Sequence, residues 1–247
     1  MLSSKDVQKE EMKMAILEMS NLTKRYKNFA ALDGVNLSLN EGRIVGLLGP
    51  NGSGKTTMIK LANGLLQPSE GFIAIGGMAP GPETKAMVSY LPDKDFLPNW
   101  MSVNDILKFY MDFYKDFDYQ RAVDMLTSLQ IPATQKLGKM SKGTREKVRL
   151  ILTMARRAKI YFLDEPIAGV DPAARDYILK TIISNYEPHA LVIISTHLIA
   201  DIENVLDEAI FLKYGHVVLH RNVQELVEET GKSLDEYFRE VFACSQN

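Results

Sequence analysis

The feature of this sequence that most constrains its fold is a glycine-rich run at residues 49–56, which reads Gly-Pro-Asn-Gly-Ser-Gly-Lys-Thr. It follows an apolar, strand-like stretch at 44–48 and precedes a helical pattern that extends to residue 66. In such an arrangement, glycines let consecutive backbone N–H groups turn toward phosphate oxygens, and the helix N-terminus adds its positive end. The run therefore predicts a phosphate-binding loop between a strand and a helix.

Side chains in this loop have expected roles. Lys55 is predicted to neutralise β- and γ-phosphate oxygens during catalysis, and Thr56 to ligate Mg²⁺. A chance match to the pattern has a probability of about one in a hundred in a chain of this length, before the strand and helix are counted, so we set that alternative aside. The predicted nucleotide contacts in this segment are Asn51, Gly52, Ser53, Gly54, Lys55, Thr56 and Thr57.

A second apolar strand, at residues 160–163, is followed by two acids, Asp164 and Glu165. The end of a parallel strand is where ligands collect, and neighbouring strand residues point to opposite faces. We therefore expect Asp164 to hold the water shell of a metal ion and Glu165 to polarise an attacking water. Alone this pattern is weak, since acids often end strands in solvent, but with the upstream loop it predicts nucleotide hydrolysis.

Composition excludes several other classes of function. Among 247 residues, 29 Lys and Arg stand against 31 Asp and Glu, so no overall positive field attracts nucleic acid, and none is expected as a partner. No apolar stretch approaches the roughly 20 residues that cross a bilayer, which predicts a cytoplasmic chain. The single cysteine, Cys244, agrees with a reducing compartment, and the four histidines lack the close pairing of a metal site.

Strand-like and helix-like segments alternate along most of the chain, which indicates a wound α/β core. Residues 103–129 depart from this alternation, because their apolar side chains recur at helical spacing and predict a helical insertion. Residues 1–13 are charged and aperiodic, and they are expected to form a flexible extension. Residues 14–247 are expected to form one domain.

Residues 140–147 read Met-Ser-Lys-Gly-Thr-Arg-Glu-Lys and resemble the signature sequence of ABC ATPases. The usual signature is Leu-Ser-Gly-Gly-Gln, so Ser141 and Gly143 are kept while the other three positions depart. A serine hydroxyl and a glycine N–H at the start of the following helix retain the donors that a γ-phosphate needs. An ordinary serine cap of the helix is compatible with the same residues.

Further elements occur in the order expected from this resemblance. Tyr26 resembles the aromatic that stacks on adenine, although a lone tyrosine is more often half-buried packing. His197 resembles the switch histidine that contacts the γ-phosphate, with a capping histidine as the alternative. Residues 169–172 resemble the loop that crosses between two subunits, and they also suit a helix start. Asp93 stands where the family has a magnesium-side glutamine; it can accept a bound water, but it is shorter and negatively charged.

The resemblance implies a P-loop NTPase (RecA-like) α/β core with an antiparallel β subdomain at residues 14–87 and 154–247, and an inserted α-helical subdomain at 88–153. It implies that two copies, or this chain and a related one, enclose two Mg-ATP between them, each bound by one loop and by the partner's signature. A separate transmembrane permease subunit would hold the chain at the cytosolic face of the membrane. Residues 96–100 and the helical insertion are expected to form the groove for that subunit, with core packing of Trp100 as the alternative.

The C-terminal stretch 233–238 resembles the ending of ATPases in ABC-2-type exporters, and the altered signature with Pro92-Asp93 resembles Gram-positive systems that export antimicrobial or amphipathic peptides. Export is therefore expected. One alternative is a non-transport ABC ATPase, against which the single cassette and the lack of a long heptad arm argue. The other is a regulatory, weakly hydrolysing subunit, with which Asp93 and the altered signature are compatible, whereas Glu165 and His197 argue for hydrolysis.

Overall fold

The computed structural model describes residues 15–243, including all side chains in that range except those of 173 and 174. Within this range the chain forms two β-sheets with helices packed against them. The strands are β1 Leu17–Tyr26, β2 Phe29–Leu39, β3 Ile44–Leu48, β4 Glu70–Ile75, β5 Val88–Leu91, β6 Ile160–Asp164, β7 Leu191–Thr196, β8 Glu208–Lys213 and β9 His216–Asn222. The helices are α1 Lys55–Ala62, α2 Pro82–Lys85, α3 Val103–Phe113, α4 Tyr119–Ser128, α5 Lys142–Met154, α6 Pro172–Asn185, α7 Ile199–Ile202, α8 Val223–Thr230 and α9 Leu234–Ala243.

The central sheet has the strand order β5-β6-β7-β3-β8-β9. Its first five strands are parallel, and β9 pairs antiparallel with β8 at one edge. Every residue of β3, β6 and β7 is buried, because helices or the second sheet cover both faces. This is why these strands are apolar runs up to the polar residues Asp164, Ser195 and Thr196 at their carboxyl ends. The α/β core expected from the sequence is confirmed.

The second sheet is antiparallel, with the order β2-β1-β4. Its inner side chains, such as Leu22, share one hydrophobic core with Ile59 of α1 and Phe162 of β6. The alternation of apolar residues alone predicts strands only at 14–20 and 35–39, but β1 and β2 are longer. Register shifts along the β1–β2 pair interrupt the alternation, so the sequence pattern breaks where the strands continue.

Helix α1 is shorter than the pattern predicts. It ends at Ala62, because Gly64 has a φ of 64° and the N–H of Leu65 donates to the carbonyl of Lys60 at 2.9 Å. A glycine in this left-handed conformation closes a helix, and the apolar residues beyond it belong to the following turn.

The predicted helical insertion at 103–129 is confirmed as two helices, α3 and α4. Ser102 begins α3, where its hydroxyl accepts the N–H of Asp105 at 3.2 Å and the Asp105 carboxylate accepts the N–H of Ser102 at 2.9 Å. The expected start of the helical subdomain at residue 88 is wrong, because Val88–Leu91 is the strand β5, paired with β6 in the central sheet. Four residues are too few for periodicity to identify a strand.

Among residues 15–243, no helix is long and apolar enough to span a membrane. The extension predicted at residues 1–13 and the cysteine at 244 lie outside the described residues.

Candidate functional site

The loop at residues 49–54 connects β3 to α1 at the carboxyl edge of the central sheet. Two of its glycines leave no room for a side chain. A Cβ at Gly49 would lie 2.3 Å from the carbonyl oxygen of Leu212, and one at Gly54 would lie 2.5 Å from that of Ala31. Gly54 also has a φ of 113°, which favours glycine. These constraints fix the backbone where α1 begins, at the positive end of the helix dipole.

Lys55 is the first residue of α1, and its side chain is only 6% exposed. Its Nζ donates to the carbonyl of Gly49 at 2.7 Å and to that of Pro50 at 3.3 Å, and it lies 3.6 Å from Glu165 Oε1. Burial lowers the pKa of Lys55, and the negative charges of Glu165 and Asp164 oppose this effect. The ammonium group therefore lies over its own loop, near Asp164 at the end of β6 and Glu165 directly after it.

Asp164 ends β6 and is buried beside α1. Its Oδ1 accepts the hydroxyl of Thr56 at 3.2 Å and that of Ser195 at 2.6 Å. Its Oδ2 is buried without a hydrogen-bond partner, which leaves one oxygen for a cation or a cation-bound water. Burial raises the pKa of Asp164, although the two hydroxyl donors oppose the rise. A buried acid with a free oxygen beside a threonine hydroxyl fits the magnesium position expected from the sequence.

Other ligands would be needed to complete such a position. Among the residues and side chains described, no three His, Cys, Asp or Glu side chains cluster closely enough to hold a metal ion. Magnesium typically combines one or two protein ligands with phosphate oxygens and water, so the arrangement suits a metal that arrives with a nucleotide.

Glu165 follows β6 with a φ of 51°, a conformation that is uncommon for residues other than glycine. Its N–H donates to the carbonyl of Ser195 at 3.0 Å, which fixes this turn. The carboxylate lies beside Lys55 Nζ, and Oε2 lies 3.1 Å from Nδ1 of His197. Adjacent residues thus have different neighbours: Asp164 contacts hydroxyl groups, whereas Glu165 contacts two basic side chains at the edge of the cleft.

Lys55, Thr56 and Glu165 line one cleft of about 490 Å³, whereas Asp164 lines a small cleft with Asp93 and Glu165. Tyr26 and Phe29, which pair across the β1–β2 turn, also line the cleft around Lys55, and these residues are 46% and 61% exposed. Exposed rings beside a phosphate loop offer surfaces on which a base can stack. Phe29 was not predicted, because its place opposite Tyr26 in a tight hairpin is not visible in the sequence pattern. The cleft brings together the predicted residues Tyr26, Asn51, Gly52, Ser53, Gly54, Lys55, Thr56, Thr57, Asp93, Glu165 and His197.

Ser141 and Gly143 are not among the residues that line this cleft. Ser141 begins α5, where its Oγ accepts the N–H of Thr144 at 3.2 Å. A Cβ at Gly143 would have no neighbour within 4 Å, so this side of the first turn is open. Within one chain, the signature residues and the phosphate loop are separate.

A larger cleft of about 630 Å³ lies between β5 and the helical segment, and no acid lines it. Its walls are mostly apolar and aromatic. Phe113, on α3, is 70% exposed at this cleft, and Trp100 nearby in sequence is 71% exposed. The alternative that Trp100 packs in the core is therefore wrong. Lys85 and Arg156 are its charged lining residues, and its predominantly apolar walls are better suited to a surface of another protein than to a nucleotide.

Comparisons with known proteins agree with this arrangement. The profile of the ABC transporter family matches residues 32–168. The uncharacterized ABC transporter ATP-binding protein YxlF of Bacillus subtilis (strain 168) is 30% identical over 219 residues, which cover 87% of this chain and 73% of that protein. The SkfA peptide export ATP-binding protein SkfE of the same organism is 28% identical, covering 87% of this chain and 93% of that protein. A solved ATP-binding subunit of an ABC transporter superposes with a TM-score of 0.83 at 27% identity, covering 92% of this chain and 99% of that one.

Proposed function

Because this chain belongs to the ABC transporter family of ATP-binding proteins, we propose that it hydrolyses ATP in the cleft around Lys55 and so powers a separate transmembrane subunit. The observation that carries the proposal is the position of Glu165. A turn with positive φ places its carboxylate beside Lys55 and His197, directly after the strand that ends in Asp164. This is the arrangement that an acid needs to act on a water at the edge of a phosphate site.

The residues present fit both ATP and Mg²⁺. Asp164 offers a buried oxygen without a partner, Thr56 a hydroxyl, and Asp93 a carboxylate that can accept a metal-bound water. When bound, Mg²⁺ would neutralise negative charge on the phosphate oxygens. Tyr26 and Phe29 provide surfaces for the adenine ring.

The chain's own groups then divide the work of hydrolysis. Glu165 accepts a hydrogen bond from the attacking water and orients it, and His197 fixes the carboxylate from the side. Lys55 exchanges its contacts with the carbonyls of Gly49 and Pro50 for phosphate oxygens, where its charge stabilises the transition state.

We infer that Ser141 and Gly143 serve the cleft of a second subunit, which is either another copy of this chain or a related ATPase. Both lie in the open first turn of α5, whose N-terminus is positively polarised, and neither reaches the cleft of its own chain. A second subunit that brings this turn against the phosphate loop would complete the site, so dimerisation would be part of catalysis.

We propose that the transmembrane subunit binds in the larger cleft. Its aromatic wall and the exposed ring of Phe113 suit the apolar face of a helix. The similarity to a peptide export protein supports export, with peptides or antimicrobial compounds as cargo. This assembly would hold the chain at the cytosolic face of the membrane.

Phosphate release tests the proposal. Glu165→Gln keeps the shape of the side chain but removes the base, and we expect turnover to fall by about 10²-fold or more while ATP binding persists. Glu229→Gln, at a side chain that is 61% exposed on α8, is the matched control and should leave turnover unchanged. Equal turnover in Glu165→Gln and the parental protein would remove Glu165 from the catalytic role.

A regulatory, weakly hydrolysing subunit is the second candidate, and the acidic Asp93 at the cleft is the observation that favours it. Binding of Mg-ATP without phosphate release, both alone and with the transmembrane subunit, would support this candidate. Failure to copurify with any transmembrane protein would instead favour a non-transport ATPase.

A further inference from the structure

The segment that carries Asp93 has no helix or strand of its own. Residues 92–101 connect β5 to the bridge at Ser102 as an irregular loop, yet Asp93 within it lines both the nucleotide cleft and a small polar cleft with Asp164 and Glu165. A loop of this kind needs contacts from elsewhere to keep one side chain in place.

Arg149 of α5 supplies such contacts. Its side chain is buried, and one terminal nitrogen of the guanidinium donates to three successive carbonyls: those of Pro92, of Asp93 at 3.3 Å and of Lys94 at 3.0 Å. The ring of Phe96 lies 5.5 Å from the guanidinium carbon. A rigid planar cation that donates hydrogen bonds to backbone carbonyls fixes the path of the chain rather than a single side chain.

Arg145, one helical turn earlier on the same face of α5, holds the next part of the loop. It donates to Asp95 Oδ2 at 2.6 Å, to Asn99 Oδ1 at 3.0 Å and to the Leu97 carbonyl at 2.6 Å. Arg145 thus holds the loop between residues 95 and 99, and the path of residues 92–94 depends on Arg149.

We propose that Arg149 is a positioning residue that holds Asp93 at the metal end of the nucleotide cleft. Its hydrogen bonds go to the backbone of 92–94; it lines the small polar cleft with Asp164 and Glu165, but not the cleft around Lys55. The inference rests on the proposed function, because it assigns Asp93 a role toward Mg²⁺. It adds to that function a role for Arg149 of helix α5, on which the position of Asp93 toward Mg²⁺ depends.

The test measures the binding of a fluorescent ATP analogue, MANT-ATP, to the full chain carrying Glu165→Gln, as Mg²⁺ is raised. Arg149→Ala should raise the half-saturating Mg²⁺ concentration by about 5-fold, and Asp93→Asn by a similar factor. The double variant should show no further increase in the half-saturating Mg²⁺ concentration, because each substitution alone already removes the contribution of a correctly placed Asp93 carboxylate. Arg149→Lys keeps a cation and three donors, and it should recover part of the loss.

Arg157→Ala is the matched control, since this side chain is 57% exposed and pairs with Asp118 and Glu187 away from the cleft. It should leave the Mg²⁺ titration unchanged. Weak binding without Mg²⁺ in Arg149→Ala would indicate a folding defect, and the comparison with Asp93→Asn would then be made in Arg149→Lys.

Three results would overturn the inference while leaving the proposed function intact: an unchanged titration in Arg149→Ala, no effect of Asp93→Asn, or a double variant whose shift is the product of the single shifts. Failure of the parental Glu165→Gln chain to bind MANT-ATP at any Mg²⁺ concentration would instead remove the proposed function, and the inference with it.

Discussion

At the scale of single residues, Asp164 works against the stability of the fold that contains it. It is 1% exposed, and burial raises its pKa above the ordinary 3.8. The folded chain therefore binds this proton more tightly than the unfolded chain, so the ionised carboxylate destabilises the fold. The cost is absent well below pH 3.8, grows as pH rises through the folded-state pKa and is complete above it.

Asp164→Asn should consequently stabilise the protein. The amide oxygen still accepts the hydroxyls of Thr56 and Ser195, while the charge is removed. We expect the melting temperature without nucleotide at pH 7.5 to rise by about 2–4 °C, which corresponds to about 1 kcal/mol in a chain of this size. The extra stabilisation that Mg²⁺ gives to the ATP complex should be lost. Thermal unfolding with ATP, with and without Mg²⁺, measures both effects.

The exposed Asp124 provides the control, and Asp124→Asn should change the melting temperature very little. The advantage of Asp164→Asn should shrink as pH is lowered toward the folded-state pKa. A melting temperature that is unchanged or lower at pH 7.5 would show that the buried charge carries no net cost.

Local sequence order predicts candidate residues that lie in contiguous motifs, but it does not predict contacts between distant positions. Lys55 and Thr56 belong to one contiguous loop, and Asp164 is identified by the strand that it ends. Arg149 gives no such signal, because its partners lie 55 to 57 positions away and a polar residue on a helix ordinarily faces solvent. Phe29 was missed since the conformation of its hairpin is not visible in apolar spacing.

At the scale of secondary-structure elements, α3 has two apolar faces. Val103, Ile106 and Leu107 pack into the core, whereas Phe109 and Phe113 stack on each other outside it, with ring centroids 5.3 Å apart. Helical spacing in the sequence predicts the helix correctly, but it cannot separate a buried stripe from an exposed one. An exposed aromatic pair costs solubility, and it therefore supports the proposed binding surface for a partner.

Phe113→Ser should therefore affect assembly and leave the fold intact. Because the ring is 70% exposed, its loss should change the free energy of unfolding by less than about 0.5 kcal/mol. Loss of the Phe113 ring from the larger cleft should lower the amount of transmembrane subunit that copurifies by about 10-fold. Pull-down from detergent-solubilised membranes, with thermal unfolding in parallel, measures the two quantities.

The same substitution at Phe72 is the control, because this residue is 54% exposed on β4 and does not line the larger cleft. Phe72→Ser should leave copurification at the parental level. Equal copurification of Phe113→Ser and Phe72→Ser would remove Phe113 from the interface.

At the scale of the whole molecule, the two parts of the proposed catalytic site are separate from each other within one chain. The phosphate loop lines a cleft with Glu165 and His197, while the open first turn of α5 carries Ser141 and Gly143 outside it. Three carboxylates, those of Asp93, Asp164 and Glu165, line a small cleft with Glu146 and Arg149, and this cleft shares Asp93 and Glu165 with the nucleotide cleft. Lys55 lies 3.6 Å from Glu165. A second subunit that adds hydroxyl and N–H donors to the γ-phosphate side would offset this excess of negative charge.

ATP should therefore convert monomers of the Glu165→Gln chain into dimers, because slow hydrolysis preserves the closed state and ATP bound between two chains stabilises their association. Light scattering with and without Mg-ATP measures the conversion. Ser141→Arg should abolish it, since a long cation in the open first turn of α5 blocks close approach. Ser184→Arg, at an exposed position on α6, should not. ATP binding without dimerisation would mean that the chain pairs with a different ATPase subunit or closes only on its transmembrane partner, and dimerisation of Ser141→Arg would exclude Ser141 from the interface.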